Sequence, residues 1–308
     1  MDIPTELVRS ADFWFNDGTV VLQVEKMLYR VYRGLLASHS TVFHDTFSIP
    51  QPAEGAIEIE GCPVVQLHDK ERDFTRFLKA LHHCGSYKTC AVSGFSELKS
   101  ILLLSDKYDV AVLRDSMTSI LSDLYPTSLG KWTDRKLHRP PGYSSYIPPR
   151  DHVSALNVAV KMNMRSILPA IMYDICTRSE LEAIVFGMGQ TRLKIEKQEY
   201  RKICIAAIPS LMKAQRRALG YLKPSSLDDE CEDRASCDAE CLRWFALDLG
   251  DEDFDPLDDS NSTEWENFAV CPSCLESAKA AWSAVCENLW DDLPRIFDVG
   301  TWDNLLLA

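Results

Sequence analysis

The sequence predicts an α+β protein: a small sheet capped by helices, then a mostly α-helical region, then a small cysteine-bearing helical module. Three observations carry this. Residues 20–32 hold two period-2 runs separated by a polar turn, the pattern of a hairpin. From Phe74 onward, apolar residues recur at spacings of 3 and 4, broken by proline-containing stretches. Six of the eleven cysteines fall in the last 78 residues.

Val20, Leu22 and Val24 alternate with Val21, Gln23 and Glu25, which reads as a half-buried strand. Leu28–Tyr32 repeats the pattern after the turn at Glu25-Lys26. Leu35, Leu36, His39 and Phe43 then follow at helical spacing, and 41–48 continues as a short helix carrying Val42, Phe43 and Phe47. Ile49-Pro50-Gln51-Pro52 ends it. Residues 64–67 form a short strand. Asp69 is placed to cap a helix carrying Phe74, Phe77, Leu78 and Leu81, which stops near Gly85. Helices over 95–108 and 110–124 turn Leu98, Ile101, Leu102 and Leu104, then Leu113, Met117, Ile120, Leu121 and Leu124, inward. Together, residues 9–126 read as the first domain.

Residues 127–150 read as a Pro-rich linker, with Pro140, Pro141, Pro148 and Pro149. Residues 151–224 read as a helical domain. Val153, Leu156, Val160 and Met164 open it, Ile167, Ile171 and Ile175 continue it, and a short helix carries Leu181, Ile184 and Val185. A longer helix over 196–222 contains Pro209, which predicts a kink or a break. Lys213, Arg216 and Arg217 at its end read as a solvated face matched to the helix dipole. Residues 225–308 form the acidic cysteine-bearing module, whose last helix starts after Cys271 with Pro272 in its first turn.

The net charge is −13, and its location matters more than its size. Residues 228–270 hold 16 Asp or Glu against Arg234 and Arg243, so the rest of the chain is close to neutral. Such a stretch repels phosphate backbones and argues against nucleic acid as a partner. No 18-residue apolar run is present, so no membrane-spanning helix is expected. The opening residues lack a basic and an apolar segment, so no secretory signal is expected. An intracellular chain, nuclear or cytoplasmic, follows, with its cysteines reduced.

Cys271-Pro-Ser-Cys274 is a C-x2-C pair at a helix start, which lets two sulfurs point to one place. Cys231 and Cys237, in a polar loop, are expected to complete a structural zinc site, with Cys241 as the reserve ligand. The alternative is a small core of ordinary reduced cysteines. Cys286 reads as core, near Trp282 and Trp290, and the other tryptophans of this region as core aromatics. All seven histidines precede residue 153, so the six cysteines are too few for an eight-ligand cross-brace. Asp251, Asp253 and Asp255 resemble a calcium loop, but Pro256 and Ser262 replace the required Gly and Glu.

No catalytic residues are found: Gly187-Met188-Gly189 lacks the third glycine of a dinucleotide loop and reads as a turn. His82-His83-Cys84 reads as a helix C-terminal cap, and His39 as a packed or edge residue. The chain is therefore read as non-enzymatic.

Three runs resemble the BTB/POZ family: Ser10-Ala-Asp-Phe13-Trp14-Phe15-Asn-Asp17-Gly18, Val31-Tyr32-Arg33-Gly-Leu35-Leu36-Ala-Ser-His39-Ser40-Thr-Val42-Phe43, and Leu104-Ser-Asp106-Lys107-Tyr108. The resemblance covers residues 9–126. The whole chain is similar to fungal BTB-domain proteins with a C-terminal cysteine-bearing extension. It implies a sheet capped by helices and a protein–protein interaction role, with a homodimer formed around Phe13, Trp14, Phe15, Leu35 and Val42. It also implies one of two pathways: a substrate adaptor on a cullin scaffold for ubiquitin ligation, or a transcription-associated regulator recruiting co-factors. The family's cullin-contacting element would fall at Pro52-Ala53-Glu54. The aspartate that transcriptional members pair with the arginine aligns with Thr19.

Overall fold

The computed structural model describes residues 7–49, 57–83, 92–135, 147–189, 192–222, 230–250, 255–257 and 265–307. They fall into two compact units, one built on residues up to 121 and the other on 122–135 and 147–307.

In the first unit, β1 (Val8–Trp14), β2 (Val20–Val24), β3 (Met27–Val31), β4 (Glu58–Ile59) and β5 (Cys62–Leu67) form one sheet in the order β1-β3-β2-β5-β4. β2 and β3 make the expected hairpin, with Val20 opposite Val31. Glu25 turns it in the left-handed region, at φ 51°, as tight hairpins require. β1 lies parallel to β3, and β5 parallel to β2. The parallel pairing of β2 with β5 needs a long crossover, and α1 (Arg33–His39) and α2 (Thr41–Ser48) lie within it.

β2 is more buried than a half-exposed strand. Val20, Val21, Leu22 and Val24 are each at most 1% exposed. Its second face is covered by a small cluster in which Val21, Leu28 and Cys62 pack with Trp14, Ile59 and Val64. Residues 33–48 form two helices rather than one continuous stripe. Ser40 sits between them in extended backbone, and its Oγ accepts the Phe43 N–H at 3.0 Å. Leu36, Phe43 and Phe47 are buried, whereas His39 is exposed.

α3 (Glu71–His83) buries Phe74, Phe77, Leu78 and Leu81 as expected, but Asp69 does not cap it. Glu25 does: its Oε2 accepts the Glu71 N–H at 3.0 Å, and its Oε1 pairs with Lys70 at 2.9 Å. Asp69 instead pairs with Lys107 at 2.5 Å and accepts the Tyr108 hydroxyl. The His82 ring packs 5.2 Å from Phe13 and 5.6 Å from Phe15, so it is an aromatic packing residue. Cys84 and the helix stop near Gly85 lie outside the described residues, as does the loop over 50–56 with Pro52-Ala53-Glu54. α4 (Phe95–Lys107) and α5 (Ala111–Leu124) match the predicted spans within one residue.

The second unit begins at Ser122, in the last turn of α5, and takes in residues of the expected linker. Leu129–Asp134 form α6, with Trp132 only 1% exposed. The prolines that suggested a linker all lie further on, and 136–146 lies outside the described residues. α7 (Pro149–Lys161), α8 (Leu168–Arg178), α9 (Leu181–Phe186) and α10 (Gln198–Ala218) follow, and then α11 (Arg234–Gly250), α12 (Pro272–Ile296) and α13 (Trp302–Leu306). The segments expected as separate domains, 151–224 and 225–308, share this one unit. Pro209 does not break α10; it sits on an exposed side, and the inward stripe is Cys204, Ala207, Leu211 and Ala218. Gly187 and Gly189 form a turn, with Met188 bridged to Leu193.

α8 is apolar nearly all round yet buries Asp174, at 1% exposure. Arg135 grips that carboxylate with two nitrogens at 2.8 and 3.1 Å, and Arg178 adds Nε at 2.9 Å. Burial alone would raise the Asp174 carboxyl; Arg135, His152 and Arg178 outweigh it and hold it below the usual range. Burial also leads the influences on His152 beside it and lowers its pKa, and its Nδ1 lies 2.9 Å from the Tyr125 hydroxyl.

Candidate metal centre

Four cysteines converge in the second unit. Cys231 precedes α11, and Cys237 lies in the first turn of that helix. Cys271 is the N-cap of α12, in extended backbone at φ −64° and ψ 158°, with Pro272 at the first helical position. Cys274 follows one turn in, so the C-x2-C spacing and the helix start present two sulfurs side by side. The four sulfurs lie within 4.8 Å of one another. The Cys271–Cys231 separation is 3.9 Å. Tetrahedral zinc with sulfur at 2.3 Å needs sulfurs about 3.8 Å apart. All four thiols are free, so convergence without a disulfide is what the donor set shows.

The backbone is organised around the same point. The Cys271 N–H donates to the Cys237 sulfur at 3.3 Å. The backbone N–H groups of Cys274 and Glu232 pull the Cys271 thiol down to about 7. A thiol already biased toward thiolate suits metal ligation. Cys241, one turn beyond Cys237, is fully buried, and burial leads the causes that push its thiol up to about 11. It stays outside the quartet, so the reserve ligand is not recruited. Cys286 is buried elsewhere on α12 and donates to the Pro256 carbonyl at 3.1 Å.

An apolar wall backs the cysteines. Tyr221, Leu222, Phe268 and Ala278 are buried there, and Tyr221 meets Trp282 edge-on at 4.8 Å and Trp265 at 6.0 Å. Of the tryptophans expected as core, Trp290 is buried and Trp244, Trp265, Trp282 and Trp302 are half-buried. Glu240, which the sequence did not single out, ties α11 to the chain ahead of α12. Its Oε1 accepts from Arg243 at 2.7 Å, from the Trp244 indole at 2.8 Å and from the Ala269 N–H at 3.2 Å. The Arg243 bond leads the causes that hold its carboxyl down at about 2. Asp255, the described member of the suspected calcium loop, accepts the Tyr173 hydroxyl and the Leu257 N–H; Asp251 and Asp253 lie outside the described residues.

The residues expected to form a dimer face are placed unevenly. Phe13 is 4% exposed and belongs to its own core. Trp14 is half-buried beneath the Arg9 guanidinium, and Phe15 stacks on Tyr32 at 5.1 Å. Leu35 is half-buried, and Val42 is exposed. Among the described residues Arg33 meets no carboxylate: its backbone N–H donates to the Thr19 hydroxyl at 2.9 Å, and its guanidinium donates to the Phe47 carbonyl.

Among the described residues no helix is long and apolar enough to cross a membrane. No family model matches the chain, and no curated protein matches it.

Proposed function

We propose that this chain is a non-enzymatic, intracellular protein-interaction protein: a BTB/POZ-like module in the first unit, and a helical second unit stapled by one structural zinc ion. One observation carries the first half of this reading. The two runs that carry most of the resemblance meet inside one core. The Ser40 hydroxyl donates to the Tyr108 carbonyl, 68 positions away, and the rings of Phe43 and Tyr108 stack at 4.5 Å. The five-stranded sheet accompanied by helices agrees with the α+β class.

Zinc is supported by the all-thiolate donor set and its spacing. Cys231, Cys237, Cys271 and Cys274 would fill all four positions, which leaves none open for substrate or water. The ion would supply structure rather than chemistry. In the protein-interaction role, the first unit self-associates or holds a partner and the second holds another. An adaptor role in ubiquitin ligation is preferred to a transcriptional one, because the Arg33 guanidinium donates to the Phe47 carbonyl and Thr19 stands where the acidic partner of that pocket would be.

Two measurements on the full chain test this. Light scattering at micromolar concentration should read a dimer, and a monomer removes self-association. Elemental mass spectrometry should find about one zinc per chain, lost in Cys271→Ser/Cys274→Ser. A well-folded protein free of metal would make the quartet a set of core thiols. Co-purification with a cullin separates the adaptor role from other interaction roles.

A further inference from the structure

The second unit carries another surface that the zinc site and the first unit leave unexplained. Between the C-terminal half of α10 and the middle of α11 lies an open groove of about 630 Å³. Its floor is apolar, formed by Pro209 and Met212 with Phe245 facing them. Met212 is 51% exposed and Phe245 half-buried, so this apolar surface is left uncovered among the described residues. Its rim is cationic: Lys213, Arg216 and Arg217 stand along it. None of the three pairs with a described carboxylate, although the chain carries a net charge of −13.

The spacing is regular. Positions 209, 212, 213, 216 and 217 recur every three or four residues, so they share one face of α10. With Gly220 beyond them they span about 16 Å at 1.5 Å per residue, roughly three helical turns. Dipole matching explains cations at a helix end. It does not explain an exposed methionine beside them, facing a half-buried phenylalanine.

The geometry points to a docking groove for an acidic amphipathic helix of a partner protein. Apolar side chains on one face of that helix would sit against Met212, Pro209 and Phe245. Carboxylates at three- and four-residue spacing would meet Lys213, Arg216 and Arg217. Charge complementarity favours this occupant over a nucleic acid. Only three cations line the groove among the described residues, and α11 adds Glu240 and Asp248 close in sequence to Phe245, within a stretch dominated by carboxylates. A phosphate backbone running past the groove would meet that negative field, whereas a short acidic helix need not extend into it. The inference concerns the second unit alone and stands whether or not the first unit is a BTB module.

The test uses the full chain and a fluorescein-labelled peptide of roughly 12 residues, three helical turns, with Leu and Trp on one face and Glu on the other. Fluorescence anisotropy should show saturable binding with Kd on the order of 10 μM at low salt, weakening as salt rises. Lys213→Glu/Arg216→Glu should weaken it about tenfold or more. Met212→Ser, at an exposed position that leaves the fold intact, should weaken it several-fold. Equal binding of a peptide with Lys in place of every Glu would overturn the proposal. So would equal binding by both variants, or a single-stranded oligonucleotide that binds as tightly and ignores Met212→Ser. A chain with Asp258→Ser/Asp259→Ser that gains tenfold or more in peptide affinity would point to the protein's own acidic segment as the occupant and overturn the partner. A second copy as occupant would appear as a dimer that Met212→Ser dissociates, with the same consequence.

Discussion

The ring of Phe43 lies 4.5 Å from that of Tyr108, centroid to centroid, with their planes 7° apart. Phe77 and Phe47 stack on the two members of this pair at 5.6 and 5.7 Å, and the Tyr108 hydroxyl donates to Asp69. Four elements of the first unit thus meet at one aromatic stack: α2, α3, the end of α4 and the segment before α3.

Removing the stack should therefore cost more than removing its hydrogen bond. Phe43→Ala is expected to destabilise the first unit by about 3–5 kcal/mol, the scale for truncating a buried phenylalanine. Tyr108→Phe keeps the ring and leaves the nearly buried Asp69 with Lys107 alone, for about 1–3 kcal/mol. Urea titration followed by circular dichroism separates the two; equal losses would mean that the stack contributes little beyond the hydroxyl.

The two buried cysteines of α11 should behave differently. Cys237→Ser is expected to abolish retained zinc, and Cys241→Ser to keep it. Cys241 lies in the core outside the quartet, so its variant should lose only packing, about 1 kcal/mol. Elemental analysis after dialysis against a weak chelator reads the first difference and thermal melts the second. Metal lost from Cys241→Ser but kept by Cys237→Ser would move the site one turn along α11.

Asp174 anchors a buried charge cluster, so breaking it on one side should be severe. Asp174→Asn strands Arg135, whose guanidinium lies 3.3 Å from the Trp132 ring centroid, and is expected to cost about 3–5 kcal/mol. Arg135→Met/Asp174→Leu removes both charges and should recover a large part of that. A double variant as unstable as the single one would show that the pair is needed for its hydrogen bonds rather than for its charge balance. Equilibrium unfolding of the three proteins decides it.

Glu240 predicts an acid sensitivity. Its folded pKa, about 2, lies below the usual carboxylate value, so the folded state holds the charged form more strongly than the unfolded one does. Its contribution is present above about pH 5 and is lost as pH falls through the carboxylate range toward 2. Glu240→Gln should be less stable than wild type near pH 7 by a few tenths to about 1 kcal/mol, and the two should converge near pH 2. A difference that stays constant with pH would assign Glu240 a role by shape alone.

The cysteine quartet was legible because its signal is local: a C-x2-C pair at a proline-marked helix start and two cysteines six residues apart, although only Cys231 precedes the helix and Cys237, expected in a polar loop, lies in the first turn of α11. The helices were legible for the same reason, from 3- and 4-residue apolar spacing. What was missed came from partners distant in sequence. Asp69 had the chemistry and position of a cap, but Glu25, 46 residues upstream of Glu71, reaches its N–H from the hairpin turn and leaves Asp69 to Lys107 and Tyr108. β2 read as half-exposed because no period-2 pattern reveals that Val21 is covered by Cys62 and Leu28. α6 was hidden by the prolines after it: the anchor is Trp132, whose indole donates to the Leu257 carbonyl, 125 positions on. Phe13 has the size of an interface residue, and only its packing against Tyr29 and His82 shows that it is spent inside.

If the quartet holds an ion, the order of its cysteines along the chain has a kinetic meaning. Cys237 and Cys271 are 34 positions apart, and the chain between them carries Trp244 and Phe268 of the apolar wall. An ion held by the quartet ties off a loop of that length, which by chain-entropy reasoning removes about 4 kcal/mol of freedom from the unfolded ensemble. During synthesis, Cys231 and Cys237 emerge first and can offer only half a coordination shell. The loop would close only when Cys274 follows, so metal supply at that moment would govern how much newly made chain reaches the folded state.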